Sequence, residues 1–476
     1  MKKKFVNILL MLTLCSSVTF VSCSLDSELT ENIDYDKNPI KNDAELKAAS
    51  IGVYSLMKAP EYYGNNIIAF SEVRSDNAYS NNETNRLGNV SSFALTPTAK
   101  YPVETWTQIY KVISAANRVI DANYPSMGKT AEQYKGEAYV LRALAHYDLV
   151  RNYGEQYVND GGLVAKGVPY IKKYADIDSK VSRGTVGNNR SSIYEDFDKG
   201  IELLKKGGGN SKIKISLAAA YGLKARAALF FSNWESKDLV IAKDFAKQAM
   251  NTSGGGIVPR AGFKDIFNAD DPQSNSLFEI KFSGVDNPGT NSLSYVYTLT
   301  EMGGYGPIVV NFKVAELFGA DAPEASKVAN DIRADIDMIR NNYEGTLQNF
   351  GKYVRMSSNI KVLRYEEMLL TFIEADFRLN NTISSESLEY LNALRNNRLI
   401  KYNNVATYSL EDIRVERQKE LLFEGFGFED AMRFHRPIKN PTIQGGGIIY
   451  GKPLLAFPIP QSEINASGIE QNQGYK

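Results

Sequence analysis

The sequence predicts a mainly helical protein, a helical scaffold that carries long irregular segments. Three observations point there. Trp106, Ile109, Tyr110, Ile113 and Ile120 fall on one face of a helix, and Tyr365, Met368, Leu369, Phe372 and Leu379 repeat that spacing. Glycines stand where such helices should stop, at Gly154, Gly207 to Gly209 and Gly254 to Gly256. Between the helices lie segments 59–103, 155–189, 254–312 and 436–476, which lack periodicity and are longer than ordinary connections.

The N-terminus has the parts of a secretory signal in order. Lys2 to Lys4 are basic, Phe5 to Leu14 are apolar, and small residues run to Ser22. Val21-Ser22-Cys23 has the form of a lipobox, which makes residues 1–22 a signal peptide and Cys23 the acylated first residue of the mature chain. Cys15 follows bulky Leu14 and leaves with the signal. The two cysteines are thereby accounted for, so the mature body supports neither disulfides nor thiol chemistry. Residues 23–42 are polar and acidic, with Asp26, Glu28, Glu31, Asp34 and Asp36, and suit a solvated tether.

Residues 43–476 then form one helical domain. Further helices are expected at 130–152, 190–206, 216–234, 238–250, 386–398 and 410–424. Ala138 to Ala145 and Ala218 to Phe231 mix alanine with large residues. Small residues let helices approach closely while aromatics fill the gaps, as in tetratricopeptide-like helix pairs. No clean repeat period is visible, so repeats are degenerate, and a plain bundle stays open.

The chain carries 55 basic and 55 acidic side chains, and loss of the signal lysines leaves the mature protein slightly acidic. A nucleic-acid binder needs a basic footprint and is excluded. The two histidines, His146 and His435, are expected to be structural. There is no HExxH, phosphate loop, nucleophile elbow or strand-borne dinucleotide motif. Gly303 to Gly306 is a flexible turn. Glu416, Glu420 and Glu424 share one helical face and repel one another, so they need cations. Arg395, Arg398 and Arg433 are the candidates, in a structural ion-pair network rather than a catalytic dyad. Asn268 to Asp271 could offer oxygens to a structural calcium ion but lack fixed ligand spacing, so a turn is favoured. No organic cofactor is expected.

The second half resembles a known family. Val362-Leu363-Arg364-Tyr365-Glu366-Glu367-Met368-Leu369-Leu370, followed by Glu374-Ala375, is similar to the R-Y-x-E-x-L-L helix of the SusD/RagB family. Leu391 to Arg398 resembles its L-N-x-I-R-x-R segment, and Glu416 to Gly425 its E-R-x-x-E-L-x-F-E-G helix. Phe457 to Pro460, Glu463-Ile464 and Gln471 to Tyr475 resemble its C-terminal blocks. Trp106, Tyr110, Asn117 and Gly136 to Ala143 correspond in the first half. The family's arginine is missing near Gly427. The domain accordingly divides into an N-terminal part to about residue 320 and a C-terminal family part over 321–476.

The resemblance implies a right-handed helical scaffold with tetratricopeptide-like pairs. It implies a surface-exposed lipoprotein of the outer membrane that binds an oligosaccharide, or an oligopeptide, without catalysis. It implies a TonB-dependent barrel of the SusC/RagA type as partner. The acidic stretch after Cys23 resembles surface-display signals of Bacteroidetes lipoproteins. A surface glycoside hydrolase is the remaining alternative. Glycan capture uses aromatic faces with polar groups that fix orientation. Loop 59–103 supplies Tyr62, Tyr63, Asp76, Asn77, Tyr79, Asn81 and Arg86, and loop 280–310 supplies Asn291, Tyr295, Tyr297 and Tyr305. Scarce tryptophan keeps peptide capture open.

Overall fold

The computed structural model describes residues 39–173, 181–298, 300–323, 329–341 and 345–476. The signal peptide, Cys23 and almost all of the acidic tether lie outside the described residues. Residues 40–476 form one unit.

The chain is mainly helical. The first helix among the described residues, α1 (Asp43–Met57), starts where the Asn42 side chain accepts a hydrogen bond from the Glu45 amide at 3.0 Å, a standard N-cap. The next elements are α2 (Asn66–Val73), β1 (Ala78–Ser80), α3 (Gly88–Ser91), α4 (Lys100–Asp121) and α5 (Lys129–Tyr153). Then come α6 (Val186–Gly207), α7 (Leu217–Phe231) and α8 (Asp238–Ser253). The predicted helices of this half are therefore present, with ends shifted by a few residues. α6 begins with a Thr185–Asn188 capping box and stops at Gly208, whose φ of +79° only glycine adopts without strain.

Successive helices α4 to α8 pack on one another. The small-residue argument has a concrete instance between α5 and α6. A β-carbon on Gly200 would lie 2.6 Å from Val140 Cγ2 and 2.9 Å from the Gly136 carbonyl oxygen. Gly136 is equally tight against Leu204, at 2.9 Å. The two backbones touch there because neither residue has a side chain.

The irregular middle holds β2 (Ser276–Ile280), α9 (Leu293–Tyr297), β3 (Ile308–Val310) and α10 (Phe312–Phe318). It continues through β4 (Ile339–Asn341), β5 (Leu347–Asn349) and β6 (Ile360–Arg364). The last part is α11 (Tyr365–Asn380), α12 (Ser385–Asn396), α13 (Leu410–Leu421), α14 (Gly427–Arg433), β7 (Ile438–Lys439), β8 (Gly447–Ile448) and α15 (Gln461–Ser467). The strands pair antiparallel as β1–β3, β2–β6, β4–β5 and β7–β8.

Short helices also occur inside the stretches expected to be irregular, at α3, α9 and α15, and two differences from the sequence reading have a plain physical cause. α2 lies inside the stretch expected to be irregular. All eight of its residues are buried, so it lacks the polar face that gives a helix its period. The strands are two to five residues long and gave no alternation signal.

The blocks that resemble the family converge on one buried ionic core. Arg364 Nε lies 2.7 Å from Glu424 Oε2, and its Nη1 lies 2.9 Å from Glu420 Oε1 and 3.0 Å from Glu366 Oε2. Arg398 Nε reaches Glu420 Oε2 at 2.9 Å. Arg333 Nη1 reaches Glu416 Oε1 at 2.7 Å, and Lys352 Nζ reaches Glu424 Oε1 at 2.6 Å. Burial pushes the Glu420 carboxyl up, but Arg398 and Arg364 outweigh it and hold the group well below the usual carboxylate range. The expected network is thus present, with one correction. Arg433 joins Glu374 and Asp430 instead, with Nε 2.7 Å from Glu374 Oε1 and Nη1 2.6 Å from Asp430 Oδ1. At Gly427, a β-carbon would lie 2.4 Å from Ser75 Oγ and 2.6 Å from Asn77 Nδ2. Residues of the first half therefore fill the space where the family's arginine was expected.

Candidate ligand-binding site

The two loops singled out in the sequence meet. β1 pairs with β3, Tyr79 facing Val309, so loop 59–103 is stitched to loop 280–310. The Asn81 amide donates to the Pro307 carbonyl at 2.9 Å, and the Leu293 amide donates to the Gly64 carbonyl at 2.9 Å. A further bond from the Tyr305 amide to the Tyr295 carbonyl, 2.8 Å, folds loop 280–310 back on itself.

This folding builds an aromatic step. The rings of Tyr295 and Tyr305 meet edge to face at 5.2 Å. The Arg86 guanidinium lies over the Tyr305 ring, 3.9 Å from its centre. Hydrogen bonding to Arg86 and then to Thr290 holds the Tyr305 phenol below its ordinary pKa. Arg86 Nε is shielded from solvent and has no hydrogen-bond partner among the described residues.

Beside the step lies a groove of about 410 Å³. Its volume is within the range of roughly 300–1,000 Å³ that small-molecule sites occupy. Tyr295, Ser294 and Thr298 form one wall, Asn287 and Gly284 a second, and Val354, Arg355, Met356 and Ser357 a third. Met302, Gly303 and Gly304 close the rim, and Gly303 turns with a φ of +86°. The exposed Met302 and Met356 side chains offer a soft apolar surface that adapts to ligand shape.

The structure keeps six of the named contact residues on the surface and withdraws five. Tyr79, Asn81, Arg86, Asn291, Tyr295 and Tyr305 are half-buried or exposed. Tyr62 and Tyr63 are buried, and both hydroxyls donate to Asp148 Oδ2, at 2.7 and 3.0 Å. Tyr297 is buried under Phe423 and donates to its carbonyl. Asp76 accepts from the Lys439 amide at 2.6 Å, and Asn77 bridges Glu72 and Gln418. Their polar atoms tie the loops to the scaffold, Tyr62, Tyr63, Asp76 and Asn77 from loop 59–103 and Tyr297 from loop 280–310, and none of the five lines the groove.

The third wall of the groove was missed. Its signal was modest: a short run from Arg355 to Asn359, polar except for Met356, just ahead of the Arg364 block. Asn268 to Asp271 form a turn. Asn268 Oδ1 accepts from the Val354 amide, Asp270 pairs with Arg355, and Asp271 pairs with Lys281. His146 is buried and stacked on Tyr170 at 3.7 Å, while its Nε2 accepts from the Ile171 amide at 3.0 Å. Burial lowers its pKa to about 3, so it is a neutral packing residue. His435 is exposed and stacks on Tyr450 at 3.9 Å.

Comparison with known proteins agrees with this architecture. The family described as "Starch-binding associating with outer membrane" matches residues 24–229, and the SusD family matches residues 336–475. A SusD-like protein of Formosa agariphila is 24% identical, over 92% of this chain and 93% of its own length. A SusD superfamily protein from Bacteroides vulgatus has a crystal structure that superposes with a TM-score of 0.81 at 25% identity, covering 92% of this chain and 100% of that one. A SusD-like carbohydrate binding protein from the same species superposes with a TM-score of 0.76 at 17% identity, covering 90% and 97%. Among the described residues, no helix is long and apolar enough to cross a membrane.

Proposed function

The chain belongs to the SusD/RagB family, and from that premise we propose that it captures oligosaccharide nutrients at the outer membrane and delivers them unaltered to a TonB-dependent barrel of the SusC/RagA type. The observation that carries this reading is the convergence of the two loops. It puts Tyr295 in the lining of a groove that carries hydrogen-bonding groups, with Tyr305 against Tyr295 and Arg86 over Tyr305. Tyrosine faces suit the apolar C–H side of a sugar, and Asn287, Ser294, Thr298 and Ser357 suit its hydroxyls. The relative named as carbohydrate binding supports the same cargo.

Catalysis is not part of the proposal. The carboxylates of Glu416, Glu420 and Glu424 are buried against cations, and none lines the groove. Glycoside hydrolysis needs two carboxyls across a cleft. The test is incubation of the purified mature domain with glycan and peptide libraries. Saturable binding with the glycan recovered intact is expected. Turnover abolished by one Glu→Gln change would make the protein a hydrolase.

Oligopeptide capture is the second reading. Met302, Met356 and Val354 favour it, because they give the groove an apolar wall suited to side chains. Preferential retention of peptides in the same screen would select it. The tether is proposed to be the lipid on Cys23. Cys23→Ala is expected to move the protein from the membrane fraction to the soluble one, and full membrane retention would contradict the anchor.

A further inference from the structure

We propose that the groove selects acidic ligands, with Arg355 as the anchor for an anionic substituent on the bound sugar, either a uronate carboxylate or a sulfate ester. The inference rests on the capture reading above and names its substrate class. Arg355 is the one permanently charged side chain among the described residues of the lining, and no carboxylate is among them. Its fork is only partly engaged. Nη2 donates to the Asn268 carbonyl and to Asp270 Oδ1 at 2.8 Å. Nε and Nη1 have no hydrogen-bond partner among the described residues.

The Asp270 pair does not neutralise the site firmly. Its two side chains are 43% and 79% exposed, and an ion pair in that much water is weak and exchangeable. A ligand anion can therefore add to, or replace, Asp270 on a guanidinium whose planar donors match a carboxylate or sulfate two at a time. The nearby acids are already matched. Asp271 is paired with Lys281, and Asp286 with Lys58. A second cation is linked to the groove through the tyrosines. Arg86 covers Tyr305, Tyr305 abuts Tyr295, and Tyr295 lines the groove with Arg355. The path from step to groove thus offers two guanidinium groups and two tyrosine rings, the pattern a strand of acidic sugars would need.

The test is an array that pairs each acidic oligosaccharide with its neutral counterpart. Uronate oligomers stand beside their methyl esters, and sulfated oligomers beside their desulfated forms. The intact mature protein is compared with Arg355→Gln, Arg355→Lys and Tyr305→Ala. The acidic member of the recognised pair should bind about tenfold or more tightly, as a charged hydrogen-bonded contact provides. Arg355→Gln should bring that pair to within about twofold while the neutral form still binds, and Arg355→Lys should keep part of the preference. Which kind of pair responds tells uronate from sulfate. Neutral members binding as well as acidic ones, or a preference that survives Arg355→Gln, overturns the acidic assignment and leaves glycan capture standing. Binding of peptides with no glycan of either kind overturns both. Matching melting curves for wild type and Arg355→Gln show that any change is one of recognition.

Discussion

Arg364 and Arg355 lie on the same short stretch of chain and do opposite things. Arg364 ends β6 at 1% exposure, and three carboxylates, on Glu366, Glu420 and Glu424, surround it. Arg355 sits in the preceding loop, half in water, with one exposed acid beside it and donors to spare. In the first case burial forces complete pairing, because an unmatched charge in a low-dielectric interior is prohibitive. In the second, solvent removes that demand and leaves the charge available to a ligand. The scaffold and the loop face use the same residue types, and the degree of pairing tells them apart.

The contrast can be broken most severely at Glu420. Replacing it with Gln leaves Arg333, Arg364 and Arg398 short of a buried counter-charge. A loss of about 3–5 kcal/mol in urea unfolding is expected, whereas Arg355→Gln should stay within about 0.5 kcal/mol. Equal effects at the two sites would erase the distinction.

Glu72 sharpens the comparison as a buried carboxyl with no cation of its own. Burial pushes its pKa up to about 7, although Asn77 and the amides of Gly425 and Phe426 hydrogen-bond to it. Its folded pKa lies above the unfolded value of 4.5. The folded state therefore holds this proton more tightly, and stability from this group is present below pH 4.5 and lost as pH rises to about 7. Glu72→Gln should remove about 3 kcal/mol of that pH dependence between mildly acidic and mildly alkaline buffer. Parallel stability-versus-pH curves for mutant and wild type would show that Glu72 is not strained in this way. A smaller effect is expected at the α5–α6 contact. Gly200→Val should cost about 1–3 kcal/mol by overpacking against Val140, read as a lowered melting temperature.

The helical scaffold was legible in the sequence because amphipathic helices such as α4 write their buried face at a regular spacing. α2 was not legible, since a wholly buried helix has no polar side. The ion network was legible as a need, from three glutamates on one face. Its partners were only partly so, because Arg364, Arg333 and Lys352 come from elsewhere in the chain and Arg433 pairs with Glu374 and Asp430 instead. At the candidate site, composition singled out two loops that meet in the structure but could not separate Tyr305, at the surface, from the buried Tyr62, Tyr63 and Tyr297. That separation depends on Asp148 and the Phe423 carbonyl, which fold in from distant segments. The 354–357 wall gave little local signal because its role comes from facing Tyr295 across a gap.

The most direct test of the account is the crystal structure of the mature domain with the best oligosaccharide from the binding screen. The account predicts an intact ligand against Tyr295 and Tyr305, with an acidic group on Arg355, and an affinity loss of about tenfold or more on Tyr305→Ala. A ligand seated elsewhere on the scaffold, or recovered cleaved, would contradict it.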